Sequence, residues 1–169
     1  HSSTYFGFGE ETVTALEAIN IIHEDNYPKR AQDIGSLIRK QFDELLEMHS
    51  NKLLNVRGVG AHWGLQIRVP HLYFTKLFKL IPSPILNDPR FLEKLCVSAI
   101  IFDLYRTHNC LTYAGFNKDI LLFVSPPLII DQNELNIFFQ ALNKTLGTGW
   151  KKLIYSLVAA RFSTSLTRS

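Results

Sequence analysis

The chain has 169 residues, 46% hydrophobic and 20% charged, enough for one domain with a buried core and ordinary for a soluble globular protein. A net charge of +3 is too small to imply a nucleic-acid partner by itself, and no apolar run is long enough to span a bilayer. The two cysteines, Cys96 and Cys110, are spaced for neither a zinc site nor a disulfide scaffold, which points to small core hydrophobes in a reducing, cytoplasmic compartment.

The first stretch, His1-Ser2-Ser3-Thr4-Tyr5-Phe6-Gly7-Phe8-Gly9, sets two hydroxyls side by side and runs into a helical pattern near Glu10. Free N–H groups and the positive end of a dipole gather where a helix starts, so Ser3 and Thr4 are placed to cradle a phosphate. The plainer reading is that one of them caps a helix or turn.

Glu10 to Glu24 reads as a helix, with Val13, Ala15, Leu16, Ile19 and Ile22 at three- and four-residue steps. Asp25-Asn26-Tyr27-Pro28 ends it and opens the next. Ala31 to Met48 is amphipathic, Ala31, Ile34, Ile38, Phe42 and Leu45 forming one stripe. From Asn55 to Val69 the period changes. Val56-Arg57-Gly58-Val59-Gly60 leads into a strand over Ala61 to Val69, and the glycines predict a bend and a close backbone approach. Pro70 to Pro89 is irregular, with a short helix possible over Leu72 to Leu80 and loop at Ile81-Pro82-Ser83-Pro84.

Arg90 to Thr107 reads as a helix with Leu92, Leu95, Cys96, Ala99, Ile100 and Leu104 inward. Strands are expected at Cys110 to Tyr113 and at Ile120 to Val124, paired as a hairpin about Asn117-Lys118-Asp119. Asp131 and Glu134 form a capping box, followed by a helix with Leu135, Phe138, Phe139, Leu142 and Leu146 along one side and an end at Gly147. Trp150 to Leu166 is a terminal helix, whose loose alternation of Lys151, Lys152 and Arg161 with apolar residues is also compatible with an anionic membrane surface.

Three blocks in this order carry a resemblance. His1-Ser2-Ser3-Thr4-Tyr5 with Gly7, then Arg57, Gly58, Gly60, Gly64 and Ile67, then Ser125-Pro126-Pro127-Leu128-Ile129-Ile130 with its acidic-capped helix resemble segments of class-III pyridoxal-phosphate aminotransferases of the ornithine and acetylornithine type. The resemblance implies an α/β fold: the C-terminal part of a type-I pyridoxal-phosphate transferase, with helices packed on a small antiparallel sheet. It implies that residues 1–50 finish the large cofactor domain with two helices. Residues 51–147 would then be the small domain with an insertion at 70–89, and 148–169 a helical tail. The first block carries the cofactor-phosphate contact, made across a homodimer interface, to Thr4 with Ser3 as neighbour. Two departures stand out. Gly7-Phe8-Gly9 replaces the family's Gly-Asn-Pro, and Phe123 stands where members that use glutamate or 2-oxoglutarate often carry Arg three residues before the first Pro.

Pyridoxal chemistry needs a lysine for the Schiff base and an acid for the pyridine nitrogen. No lysine here has the surroundings that the family uses, and Lys29, Lys40 and Lys52 read as lying on or near an exposed helical face. The chain starts at His rather than Met, and the resemblance places it inside a larger fold, so it reads as a segment that is inactive alone, with no catalytic residue and no metal site. The implied function of the parent is transfer of an amino group from an amine or amino acid to a keto acid. The alternative is a non-catalytic binding module derived from the same domain.

Overall fold

The computed structural model describes residues 9–70, 74 and 90–166, the side chains of 116 and 161–166 excepted. The His1–Phe8 stretch, the expected helix over Leu72 to Leu80 (Phe74 apart) and the loop at Ile81-Pro82-Ser83-Pro84 lie outside the described residues. Two helices come first, α1 (Gly9–Glu24) and α2 (Tyr27–Met48). Pro28 lies in the first turn of α2, where its missing N–H costs nothing, and Asn26 takes the left-handed conformation at the junction. Ile34, Ile38, Phe42 and Leu45 of α2 are buried, as the stripe predicted, with Ala31 half-covered at its start. The apolar residues of α1 are uncovered: Val13, Leu16, Ile19 and Ile22 are all exposed.

The sheet has four antiparallel strands in the order β1-β2-β4-β3: β1 (Leu53–Val59), β2 (His62–Ile67), β3 (Tyr113–Phe116) and β4 (Ile120–Val124). The single strand expected at Ala61 to Val69 is therefore corrected to a hairpin. Val56 to Val59 is itself a strand and pairs back onto β2, Val59 opposite His62. The physical reason is Gly60, whose φ of 53° opens the tight turn. The close approach predicted from the glycines is present, because a β-carbon on Gly35 of α2 would run into the carbonyl of Gly60.

Helix α3 (Phe91–His108) buries Cys96, Val97, Ala99, Ile100 and Leu104, while Leu92 and Leu95 are only half-covered. It ends at Asn109 in the left-handed conformation, with the Cys110 N–H bonded to the Leu104 carbonyl. That left-handed exit occupies the residues just past the helix, so the strand expected at Cys110 to Tyr113 begins only at Tyr113. The β3–β4 hairpin itself forms as predicted, Phe116 pairing with Ile120. Helix α4 (Gln132–Gly147) starts on the reciprocal capping box of Asp131 and Glu134 and buries Leu135, Phe139, Leu142 and Leu146.

Val56, Trp63, Leu65, Ile67, Ile120, Leu122 and Val124 share one core with the buried sides of the helices, and Phe74 joins it. Phe42 sits at its centre, its ring 6.0 Å from Trp63 and 5.1 Å edge-on to Phe139. Helix α5 (Trp150–Leu166) packs on α3, with Leu153 buried and Ile154 and Leu157 against the core. Among the described residues, no helix is long and apolar enough to cross a membrane.

Lys52 departs from the exposed position read from the sequence. It is buried, its ammonium donates to the carbonyls of Leu146, at 2.6 Å, and Thr148, and it stands over the Trp150 ring. The last carbonyls of a helix have no partners within it, and here a lysine 94 residues earlier in the chain supplies one. Burial lowers the Lys52 pKa from its ordinary value.

Candidate functional site

The sheet face turned away from the helices carries a groove lined by aromatic and charged side chains. Side chains alternate along a strand, so Arg57 and Val59 of β1, His62 and Gly64 of β2, Tyr113 and Gly115 of β3, and Leu121 and Phe123 of β4 fall on this face. The groove has a volume of about 400 Å³. Its floor is Gly64, Gly115 and Leu121, and the rings of His62 and Phe123 stand along one side.

Three rings lie in a row. The Phe123 ring is 4.9 Å from His62 at 19° and 5.4 Å from Tyr113 at 29°, both stacked. Ser125 closes the row: its hydroxyl is 2.6 Å from His62 Nδ1 and 3.2 Å from the Tyr113 hydroxyl. The network holds the imidazole and the phenol upright on either side of Phe123. A hydroxyl has one proton and two lone pairs, so Ser125 can serve both neighbours and still accept a further bond.

Opposite the rings, Arg57 Nη2 donates to Asp119 Oδ2 at 2.8 Å, tying β1 to the turn between β3 and β4. More than half of the Arg57 side chain is exposed, so this pair adds little to stability and mainly fixes where the guanidinium stands. The groove thus offers an apolar floor, an aromatic side and one oriented cation that is already partnered. Phe123 lies on this face, flanked by rings, so no guanidinium occupies the position where the resembled family often carries one. His62, read from the sequence as structural, is half of a two-ring clasp on Phe123.

The residues expected to contact a cofactor phosphate, Ser3 and Thr4, lie outside the described residues. Among the described residues, no lysine lines the groove. Lys52 is committed to helix carbonyls, and Lys29 to Asp33 on the surface of α2. Neither of these two lysines is placed to anchor a pyridoxal group in the groove. Among them no group of His, Cys, Asp and Glu is arranged to hold a metal ion.

The fold is that of the C-terminal portion of an aminotransferase, and the chain resembles the ornithine and acetylornithine aminotransferases in three dimensions as its three sequence blocks do in order. Acetylornithine aminotransferase from Elizabethkingia anophelis matches 86% of the chain with a TM-score of 0.59 at 22% identity. Ornithine aminotransferase from Plasmodium yoelii matches 87% with a TM-score of 0.60 at 20% identity. A transaminase with L-alanine matches 79% with a TM-score of 0.53 at 26% identity. The chain spans 30%, 32% and 27% of those three chains respectively. In sequence, (R)-1-hydroxy-2-aminoethylphosphonate ammonia-lyase from Vibrio splendidus is 23% identical over 141 residues, 83% of this chain and 25% of that protein. No protein-family model matches the chain.

Proposed function

We propose that this chain is the C-terminal segment, small domain included, of a pyridoxal-phosphate-dependent aminotransferase, working as a cytoplasmic homodimer that moves an amino group from an amine or amino acid to a keto acid. The observation that carries the reading is the match of 79% of the chain to a transaminase at 26% identity, joined to three sequence blocks in family order. When bound, pyridoxal phosphate supplies the electron sink for such a reaction. The lysine that holds it is expected outside these 169 residues. Ser3 and Thr4 contribute hydroxyls to the cofactor phosphate across the dimer interface.

The groove on the outer sheet face bears on the choice of substrate. With a phenyl ring at position 123 between two further rings, that point offers no fork of N–H donors to a second carboxylate, so glutamate is disfavoured as amino donor. Titration of the gene product containing this chain with pyridoxal phosphate tests the reading. Thr4→Val is expected to weaken cofactor affinity by about tenfold or more, the loss of a charge-assisted hydrogen bond. Unchanged affinity in that variant contradicts it.

A further inference from the structure

The groove on the outer sheet face is bounded by a pair of opposite charges, and neither member is used up by the other. Arg57 gives one N–H, from Nη2, to Asp119 Oδ2. A guanidinium has five N–H donors and an ionised carboxylate accepts through two oxygens, so most of both remain. The two side chains are 55% and 31% exposed, and both residues line the groove. Among the described residues, Thr112 Oγ1 is the only buried side-chain polar atom without a partner. Asp119 Oδ1, which also has no partner there, is therefore in contact with solvent.

The strand register places this pair and the ring row on opposite sides of a glycine. Arg57 of β1 is opposite Gly64 of β2, and Gly64 is opposite Phe123 of β4. Arg57 and Phe123 thus stand two strand spacings apart, about 10 Å between α-carbons, with no side chain on the residue between them. At about 400 Å³ the groove falls within the usual span of small-molecule sites, about 300–1,000 Å³.

A ligand with a single charge of either sign would meet its like in the pair, an anion at Asp119 or a cation at Arg57. A ligand that carries both charges close together escapes this opposition. We infer that the groove binds a zwitterionic α-amino acid whose side chain is aromatic or branched aliphatic. Its carboxylate takes the free donors of Arg57, and its ammonium donates to Asp119 Oδ1. Its side chain rests on Leu121 and against the Phe123 ring. A second carboxylate would lie against those apolar groups with no cation to receive it, so glutamate and aspartate are rejected. An exposed ion pair is weak, so Arg57 and Asp119 are free to turn toward such a ligand. The inference rests on the groove's own residues and holds whether or not the parent carries pyridoxal phosphate.

The test illuminates the gene product containing this chain with L-photo-leucine, an amino acid with a diazirine on a branched aliphatic side chain, and maps the labelled peptides. The expected result is saturable labelling within His62–Ile67 or Ile120–Val124, displaced by L-phenylalanine. L-Glutamate, 2-phenylethylamine, which lacks the carboxylate, and 3-phenylpropionate, which lacks the amine, should each compete about ten-fold less well or worse. Arg57→Gln and Asp119→Asn, both at exposed or half-exposed positions, are each expected to weaken the groove labelling about ten-fold, with circular dichroism unchanged. Labelling confined to residues outside the groove overturns the inference and leaves the cofactor reading untouched. Competition by L-glutamate or by either singly charged analogue as strong as that by L-phenylalanine, or labelling unchanged in either folded variant, overturns it as well.

Discussion

The ring of Phe123 occupies the space that a side chain on Gly115 would need: a β-carbon at position 115 would collide with Phe123 Cε2. The two residues lie on the same outer face of the β3–β4 hairpin, Gly115 opposite Leu121 and Phe123 opposite Tyr113. Gly64 meets the same ring from β2, where a β-carbon would lie 3.2 Å from Phe123 Cε1. The two glycines are thus the seat of the ring, and the aromatic side of the groove depends on their having no side chains. Gly115→Ala is expected to destabilise the fold by about 1–3 kcal/mol through overpacking. In a Phe123→Ala background the same change should cost less than half as much, as denaturant unfolding of the four-member cycle would reveal.

Lys52 joins the turn before β1 to the junction of α4 and α5. Lys52→Met keeps the apolar stem and removes the donor to the Leu146 and Thr148 carbonyls. The expected cost is about 1–3 kcal/mol, the penalty for leaving buried acceptors without that partner. Hydrogen exchange should locate the loss, with amides at the start of α5 exchanging faster while those of the β1–β2 hairpin change little.

Cys96 is fully buried in α3, and burial, reinforced by the nearby Glu93 charge, pushes its thiol up to about 12. In the unfolded chain the same thiol ionises near 9.0. Between those values the unfolded chain binds fewer protons than the native one, so this residue's contribution to stability falls as pH rises from about 9 toward 12. Lys52 acts in the opposite sense, because its native pKa is lowered below 10.5 and relief of its buried charge stabilises the fold as pH approaches that value. The Cys96 effect is therefore read as the difference between wild type and Cys96→Ala across that range, which should narrow with rising pH. At neutral pH a thiol reagent should modify half-buried Cys110 before Cys96.

Asp131→Ala removes the acceptor for the Glu134 N–H, bonded at 2.8 Å, and should cost about 1 kcal/mol in a thermal or denaturant melt. Glu134→Ala, which loses only the longer 3.3 Å return bond, should cost less.

Local chemistry explains what was legible in the sequence. The start of α4 could be read because both halves of the capping box lie three residues apart, and the buried side of α2 because its stripe repeats over many turns. Strand β4 was clear as an apolar run between turn residues. The β1–β2 hairpin is faint in the sequence because its turn rests on a single glycine, Gly60, rather than an Asn-Gly or Asp-Gly pair. The burial of Lys52 has no local signal, because its partners stand 94 and 96 residues away. The clasp of His62, Phe123, Tyr113 and Ser125 was equally hidden, since the pairing of β2 with β4 brings together residues more than sixty positions apart. Its one local signal was the pair of glycines, Gly64 and Gly115, in otherwise regular strands.

The measurement that bears most directly on the aminotransferase reading is borohydride reduction of the gene product containing this chain, purified with pyridoxal phosphate, followed by peptide mapping. The account predicts a pyridoxyl group on one lysine outside residues 1–169, with none on Lys52 or any other lysine of this chain. A product that carries no pyridoxyl-lysine, or one in which the label falls within these residues, would contradict it.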